Sequence, residues 1–167
     1  MSLTAYIRPS AAGDETNIAT VLPSESHYLA VAESSPDEDT SYISESGAVY
    51  ARDLYNLDDP GLSATINWVK VWMRCKCLAA GWAKTAIKTG GTAYNGSEEN
   101  LGLTYANYST QYITNPKTGV AWTWADLGEL QAGVALLSMA EKGVASYCTQ
   151  VFVEINYDEA VPFGCVV

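Results

Sequence analysis

Histidine occurs once in the 167 residues, at His27, so a His-rich metal site is excluded, and any Ser/His/Asp or Cys/His arrangement would depend on that one residue. The G-x-S-x-G phrase of a nucleophile elbow is missing as well, and His27 is expected to be structural or exposed. Bases are scarce: nine Lys and Arg face nineteen Asp and Glu, a net charge of −10 that opposes phosphate backbones and anionic lipid. No apolar run approaches the ~18 residues of a membrane-spanning helix, and the start of the chain lacks a basic region followed by an apolar one. These absences lead us to expect no nucleic acid, no membrane, no encoded export, no cofactor, no catalytic residue and no metal. The four cysteines include no C-x-x-C pair. Cys75 and Cys77 share one strand face and are expected as reduced, buried thiols, with pairing of Cys148 to Cys75 or Cys77 left open.

What is present suits one β-rich domain. The length matches a single domain, and 48% apolar residues suffice for one core without staples. We expect residues 1–157 to form a β-sandwich, with 1–15 as an N-terminal arm, and 158–167 to form an apolar C-terminal tail. Charge is segregated. Residues 61–97 carry five bases and no acid, whereas 1–60 carry eleven acids and two bases. Such blocks either neutralise one another within the chain or meet head to tail between copies.

Period-two alternation dominates. From Ile66 to Cys77, Val69, Val71, Met73, Cys75 and Cys77 fall on one face, and Trp68, Lys70, Trp72, Arg74 and Lys76 on the other. Val151, Val153 and Ile155 alternate with Gln150, Phe152 and Glu154 in a second long strand. Shorter strands are expected at 4–8, 18–22, 28–32, 41–44, 49–57, 82–88, 105–113 and 134–138, punctuated by Asp58-Asp59-Pro60-Gly61, Thr89-Gly90-Gly91-Thr92 and Asn95-Gly96. Many short antiparallel strands predict an all-β, jelly-roll-like sandwich. One short helix is expected at about 123–133: Thr123 is its N-cap, Asp126 the capping-box acid, Trp122 and Leu127 a hydrophobic staple, and Gly133 its stop.

The face Trp68, Lys70, Trp72, Arg74 and Lys76 is the first candidate contact surface. Each Trp offers ~200 Å², so at ~25 cal/mol/Å² its burial contributes up to about 5 kcal/mol, against ~0.2–1 kcal/mol for a surface ion pair. The alternative is that a loop or the N-terminal arm of the same subunit covers this face. Trp82, Tyr105, Tyr108 and Tyr112, with Trp122 and Trp124, form a candidate sugar platform. Asp37, Glu38 and Asp39, and Asp58 with Asp59, lack calcium-loop spacing and are expected as solvated loops. Phe163, Val166 and Val167 of the apolar tail are expected to dock on this sandwich or on a neighbouring copy.

Read in order, Asp37-Glu38-Asp39-Thr40-Ser41-Tyr42-Ile43, Arg52-Asp53-Leu54-Tyr55, Lys88 through Gly96, Tyr105, Tyr108-Ser109, Tyr112, Thr114-Asn115-Pro116, Thr118-Gly119, Ala121-Trp122-Thr123, Asp126-Leu127, Leu130 and Gly133-Val134 resemble small virion structural proteins of tailed bacteriophages. The resemblance spans about residues 27–157. It implies a non-enzymatic component of a phage particle, tail-associated or decorating the capsid, that partners copies of itself or capsid or tail proteins. A carbohydrate-binding jelly roll with glycan partners, or a subunit of an extracellular filament or surface layer, is the alternative.

Overall fold

The computed structural model describes residues 1–23, 26–139 and 143–159. It is an antiparallel sandwich of two six-stranded sheets with one short helix. The strands are β1 (Ser2–Ile7), β2 (Pro9–Thr16), β3 (Thr20–Leu22), β4 (Tyr42–Glu45), β5 (Ala51–Leu57), β6 (Thr65–Cys77), β7 (Gly81–Thr89), β8 (Thr92–Asn95), β9 (Glu99–Asn100), β10 (Ala106–Tyr112), β11 (Gln131–Ser138) and β12 (Ser146–Asp158); α1 is Trp124–Gly128. The first sheet runs β10-β6-β12-β4-β3, with β1 also on β12. The second runs β2-β5-β11-β7-β8, with β9 on β7.

The two long strands behave as their alternation requires. Val69, Val71, Met73, Cys75 and Cys77 are buried, as are Val151, Val153 and Ile155 opposite them. Two bulges correct the parity at the strand ends. Asn67 is the extra residue between the Ile66–Tyr157 and Trp68–Asn156 pairs, and Thr149 is the extra one between Cys148–Cys75 and Gln150–Arg74. Each turns its end of the ladder so that Ile66 and Cys148 point inward. Along the far side of β12, β4 pairs with Ser146–Cys148 and β1 with Val153–Asp158. Between them the Val151 amide donates to the Val31 carbonyl at 2.8 Å, so a loop closes the gap.

The structure departs from the sequence reading in several places. Residues 28–32 are not a strand but part of a tight turn, in which the amides of Leu29, Ala30 and Val31 each donate three residues back. Residues 1–15 are not a free arm: they supply β1 and most of β2, one strand in each sheet. Asp158 pairs with Ser2 and Thr65 as the last residue of β12. The tail residues Phe163, Cys165, Val166 and Val167 lie outside the described residues. Cys75, Cys77 and Cys148 are free and buried; burial, with Cys148 beside it, pushes the Cys75 thiol well up, which keeps it protonated. The helix has the expected capping box between Thr123 and Asp126, and Trp122 and Leu127 are buried in one cluster, but it ends at Gly128. Gly133 belongs instead to β11, where a Cβ would meet the Asp53 carbonyl oxygen at 1.9 Å. The Gly90-Gly91 turn joins β7 to β8 with both residues at positive φ, 52° and 76°.

A buried carboxylate ties the loop before β4 to the core. Asp53, fully buried on β5, accepts the amides of Asn17 at 2.7 Å and Ile18 at 2.9 Å, accepts the Tyr55 hydroxyl at 3.0 Å, and lies 2.6 Å from Nδ1 of His27. His27 is therefore a structural partner. Asp53→Ala would strand these donors in the core, and we expect it to lower the urea-unfolding free energy by about 3–5 kcal/mol. His27→Ala, which removes a single partner, should cost only ~1–2 kcal/mol. Equal losses would show that Asp53 acts through His27 alone.

Edge strand β2 is fastened by charge. Arg52 holds Glu15 through Nε at 2.8 Å and Nη2 at 2.7 Å, and these hydrogen bonds keep the Glu15 carboxyl below the usual range. A lowered carboxylate pKa contributes stability above the unfolded-state value that is lost as pH falls through the folded one. Stability measured from pH 6 downward should therefore fall less steeply below about pH 4.5 in Arg52→Met than in the unaltered protein. Parallel curves would remove the pair from the acid response.

Candidate functional site

The outer face of the first sheet carries the residues with the most binding chemistry. Register sets them in rows. Ser109, Trp72 and Phe152 align across β10, β6 and β12; Gln111, Lys70, Glu154 and Tyr6 align across β10, β6, β12 and β1; Asn107, Arg74 and Gln150 form a third row. Because each strand alternates, every one of these side chains points away from the core.

Two adjoining depressions cross this face and share Tyr6, Asn107 and Phe152. The larger, about 320 Å³, also includes Arg8, Arg74, Gln150 and the loop at Ser34 and Pro36. The smaller, about 210 Å³, adds Trp72 and Glu154. Together they form an open groove with an aromatic floor. Trp72 stacks on Phe152 with centroids 5.9 Å apart and planes 12° from parallel, and Tyr6 meets Phe152 edge-on, also at 5.9 Å. Tyr6 is 57% exposed at the rim. The Trp72 indole nitrogen donates to Glu154 Oε2 at 2.7 Å, which fixes the ring's orientation. Lys70 lies over both indoles, 4.6 Å from the Trp68 centroid and 5.4 Å from that of Trp72.

One end of the face is closed by its own chain. The segment Glu33–Asp39 lies against it: Arg74 donates to Glu38, Lys76 to Asp39, and Arg8 and Gln150 both donate to the Glu33 carbonyl, at 2.9 and 2.6 Å. Lys76 also sits 4.4 Å from the Tyr105 ring centroid. The predicted contact face is thus divided. Arg74 and Lys76 hold a loop, while Trp68, Lys70 and Trp72 remain on the open part, each half-buried.

The four residues read as a sugar platform are not brought together. Trp82 lies on β7 in the other sheet. Tyr105 is buried under the two cations, with its hydroxyl toward Asp39 and the Glu38 carbonyl. Tyr108 and Tyr112 pair with Met73 and Val69 and pack inward; burial raises the Tyr112 phenol. Trp122 is buried, and Trp124 donates to the Ala64 carbonyl at 2.6 Å. The reason is parity, since residues 108 and 112 share a strand face that here is the inner one. Missed in the sequence were Tyr6, Phe152, Asn107, Glu154 and Arg8. The alternation of 150–156 already set Phe152 and Glu154 outward; their meeting with Trp72 depends on the register of β6 with β12.

Among the described residues, no group of three or more His, Cys, Asp or Glu side chains is placed to hold a metal. Glu154 is the single carboxylate among the residues lining the two depressions. A pair of acids flanking a glycosidic bond, as glycoside hydrolysis requires, is not assembled there. The second sheet bears a larger depression of about 570 Å³ beside Gly47–Arg52, but each guanidinium nitrogen of Arg52 within it is already engaged, by Glu15 or by Asn95 at 3.0 Å.

No described protein family and no curated protein matches the sequence. Solved structures with a similar arrangement include the family 29 carbohydrate binding module CBM29_1 from Piromyces equi, at 9% identity over 92% of this chain and 90% of that one, with a TM-score of 0.44. Another is the C-terminal CBM6 of LamC from Zobellia galactanivorans, at 12% identity over 92% and 98%, TM-score 0.44. A third is the enzymatically active domain of tailspike protein 4 of bacteriophage CBA120, at 12% identity over 91% of this chain but 19% of that one, TM-score 0.42. At these identities the likeness is one of fold alone, a jelly-roll-like antiparallel sandwich.

Proposed function

We propose that the chain is a non-catalytic glycan-binding module whose ligand lies in the groove across β1, β12, β6 and β10. The observation that carries this reading is the combination, in one open groove, of a fixed ring pair, Trp72 on Phe152, and an exposed ring, Tyr6, with the planar polar groups of Asn107, Gln150 and Glu154. A sugar ring presents an apolar C–H face to an aromatic ring and hydroxyls at its edge to amides, guanidinium groups and carboxylates. Ring contact supplies most of the affinity, because each hydrogen bond made in a wet groove nets only ~0.5–1.5 kcal/mol.

Assembly into a virion through the same face, which the sequence resemblance implies, has less geometric support. A dry protein interface needs exposed apolar anchors with few charges at its centre. Here the indoles are half-buried, Lys70 lies on them, and Arg74 and Lys76 are already paired within the chain. A phage particle, as the place where such a module would act, rests on the sequence resemblance.

Affinity electrophoresis and titration calorimetry against a broad polysaccharide panel test the proposal. The intact protein should be retained by at least one polymer, and Tyr6→Ala with Trp72→Ala should weaken that binding tenfold or more while leaving the circular dichroism spectrum unchanged. Trp82→Ala, on the other sheet, should bind normally. Sedimentation at several concentrations and salts should show a monomer. Concentration-dependent assembly lost in Trp68→Ala with Trp72→Ala, together with no glycan retention, would overturn glycan binding in favour of assembly.

A further inference from the structure

The charge of the groove runs against that of the protein. In a chain of net charge −10, the groove's depression of about 320 Å³ is lined by two arginines, Arg8 and Arg74, and by no carboxylate. Arg74 is committed, since Nε and Nη2 face Glu38 and Nη1 donates to Asn107 at 3.2 Å. Arg8 is not. Its guanidinium lies 5.2 Å from the Phe152 centroid and donates through Nη1 to the Glu33 carbonyl, a neutral acceptor. Among the described residues no carboxylate lies within ion-pair distance of it, and Asp58 acts on it only from farther away. Burial lowers the Arg8 pKa, as expected for a cation whose lost hydration is not replaced by a paired anion. Set over the Phe152 ring and tethered through Nη1, it lines the groove with N–H groups of a planar fork that pair with no carboxylate among the described residues.

We infer that the groove selects saccharides bearing a carboxylate, uronic-acid units, and that Arg8 is the residue that receives it. This rests on the glycan-binding reading above and names its substrate class. Glu154 bounds the adjoining depression and is held by the Trp72 indole, so a second acidic sugar is disfavoured there. The site therefore reads one acidic unit next to a neutral one that contacts the Tyr6 and Trp72 side chains, rather than a uniform run of charge.

The test compares hyaluronan, in which each glucuronate alternates with a neutral amino sugar, with its methyl ester, which keeps the backbone and removes the charge, alongside a sulfated neutral glucan as an anion without carboxylate. Calorimetry should show unmodified hyaluronan binding at least tenfold more tightly than its ester. Arg8→Gln should abolish that preference while weaker, ring-dependent binding persists. Arg8→Lys, which keeps the charge but not the fork, should fall between them, and thermal unfolding checks that each variant is folded. Equal binding of acid and ester, or a preference unchanged in a folded Arg8→Gln, would overturn the inference and leave glycan binding standing. Equal binding of the sulfated glucan, lost in 0.3 M salt, would also overturn it by showing attraction to any polyanion. Failure to bind these polymers and the whole neutral panel would overturn the glycan reading itself.

Discussion

The pairing of β6 with β12 along their full length is the contact on which the rest of the molecule depends. Each strand has 13 residues, each alternates, and the ladder between them faces the core on one side and solvent on the other. The inward set supplies buried residues to both core clusters. The outward set places Trp72 on Phe152, Lys70 opposite Glu154 and Arg74 opposite Gln150, so the groove is a direct product of this register. A slip by one residue would exchange the two faces. The bulges at Asn67 and Thr149 admit two parity changes without disturbing the central rows.

Charge is organised around the same ladder. Of the five bases in residues 61–97, Arg74, Lys76 and Lys88 pair with acids from the first sixty residues, Lys84 pairs with Glu98, and Lys70 lies on indole rings. The segregation seen along the chain is thus largely neutralised inside one subunit and does not require a neighbouring copy. It also serves position. The acids of the Glu33–Asp39 segment fasten that loop to the sheet face and define one end of the groove, while Asp53 anchors the preceding turn through His27 and the amides of Asn17 and Ile18.

How much of this could be read from the chain depended on the kind of signal. Val69 to Cys77 and Val151 to Ile155 were legible because a strand with one wet face writes its orientation in every second residue. The Thr123–Asp126 capping box and the Gly90-Gly91 hairpin were legible because backbone geometry there demands those residue types. Strand β2 was not, since Pro9-Ser10-Ala11-Ala12-Gly13 at a sheet edge carries no apolar alternation. Residues 28–32 read as a strand because Tyr28, Ala30 and Val31 are apolar, yet they bury themselves from a turn. The tyrosines at 105, 108 and 112 were visible as a cluster, but which side of β10 faces the core is invisible in the strand alone.

Composition and local pattern therefore determined the class of fold, the two long strands with their inner and outer faces and the capped start of the helix, because each follows from spacing within a few residues. Only the tertiary structure decided which outer face is open, that Glu33–Asp39 covers one end of it, and that Tyr6, Arg8, Asn107 and Phe152 join Trp72 in one groove. Those residues are up to about 145 positions apart in the chain, and their meeting is set by the order in which strands pair, a relation between distant segments that no local period encodes.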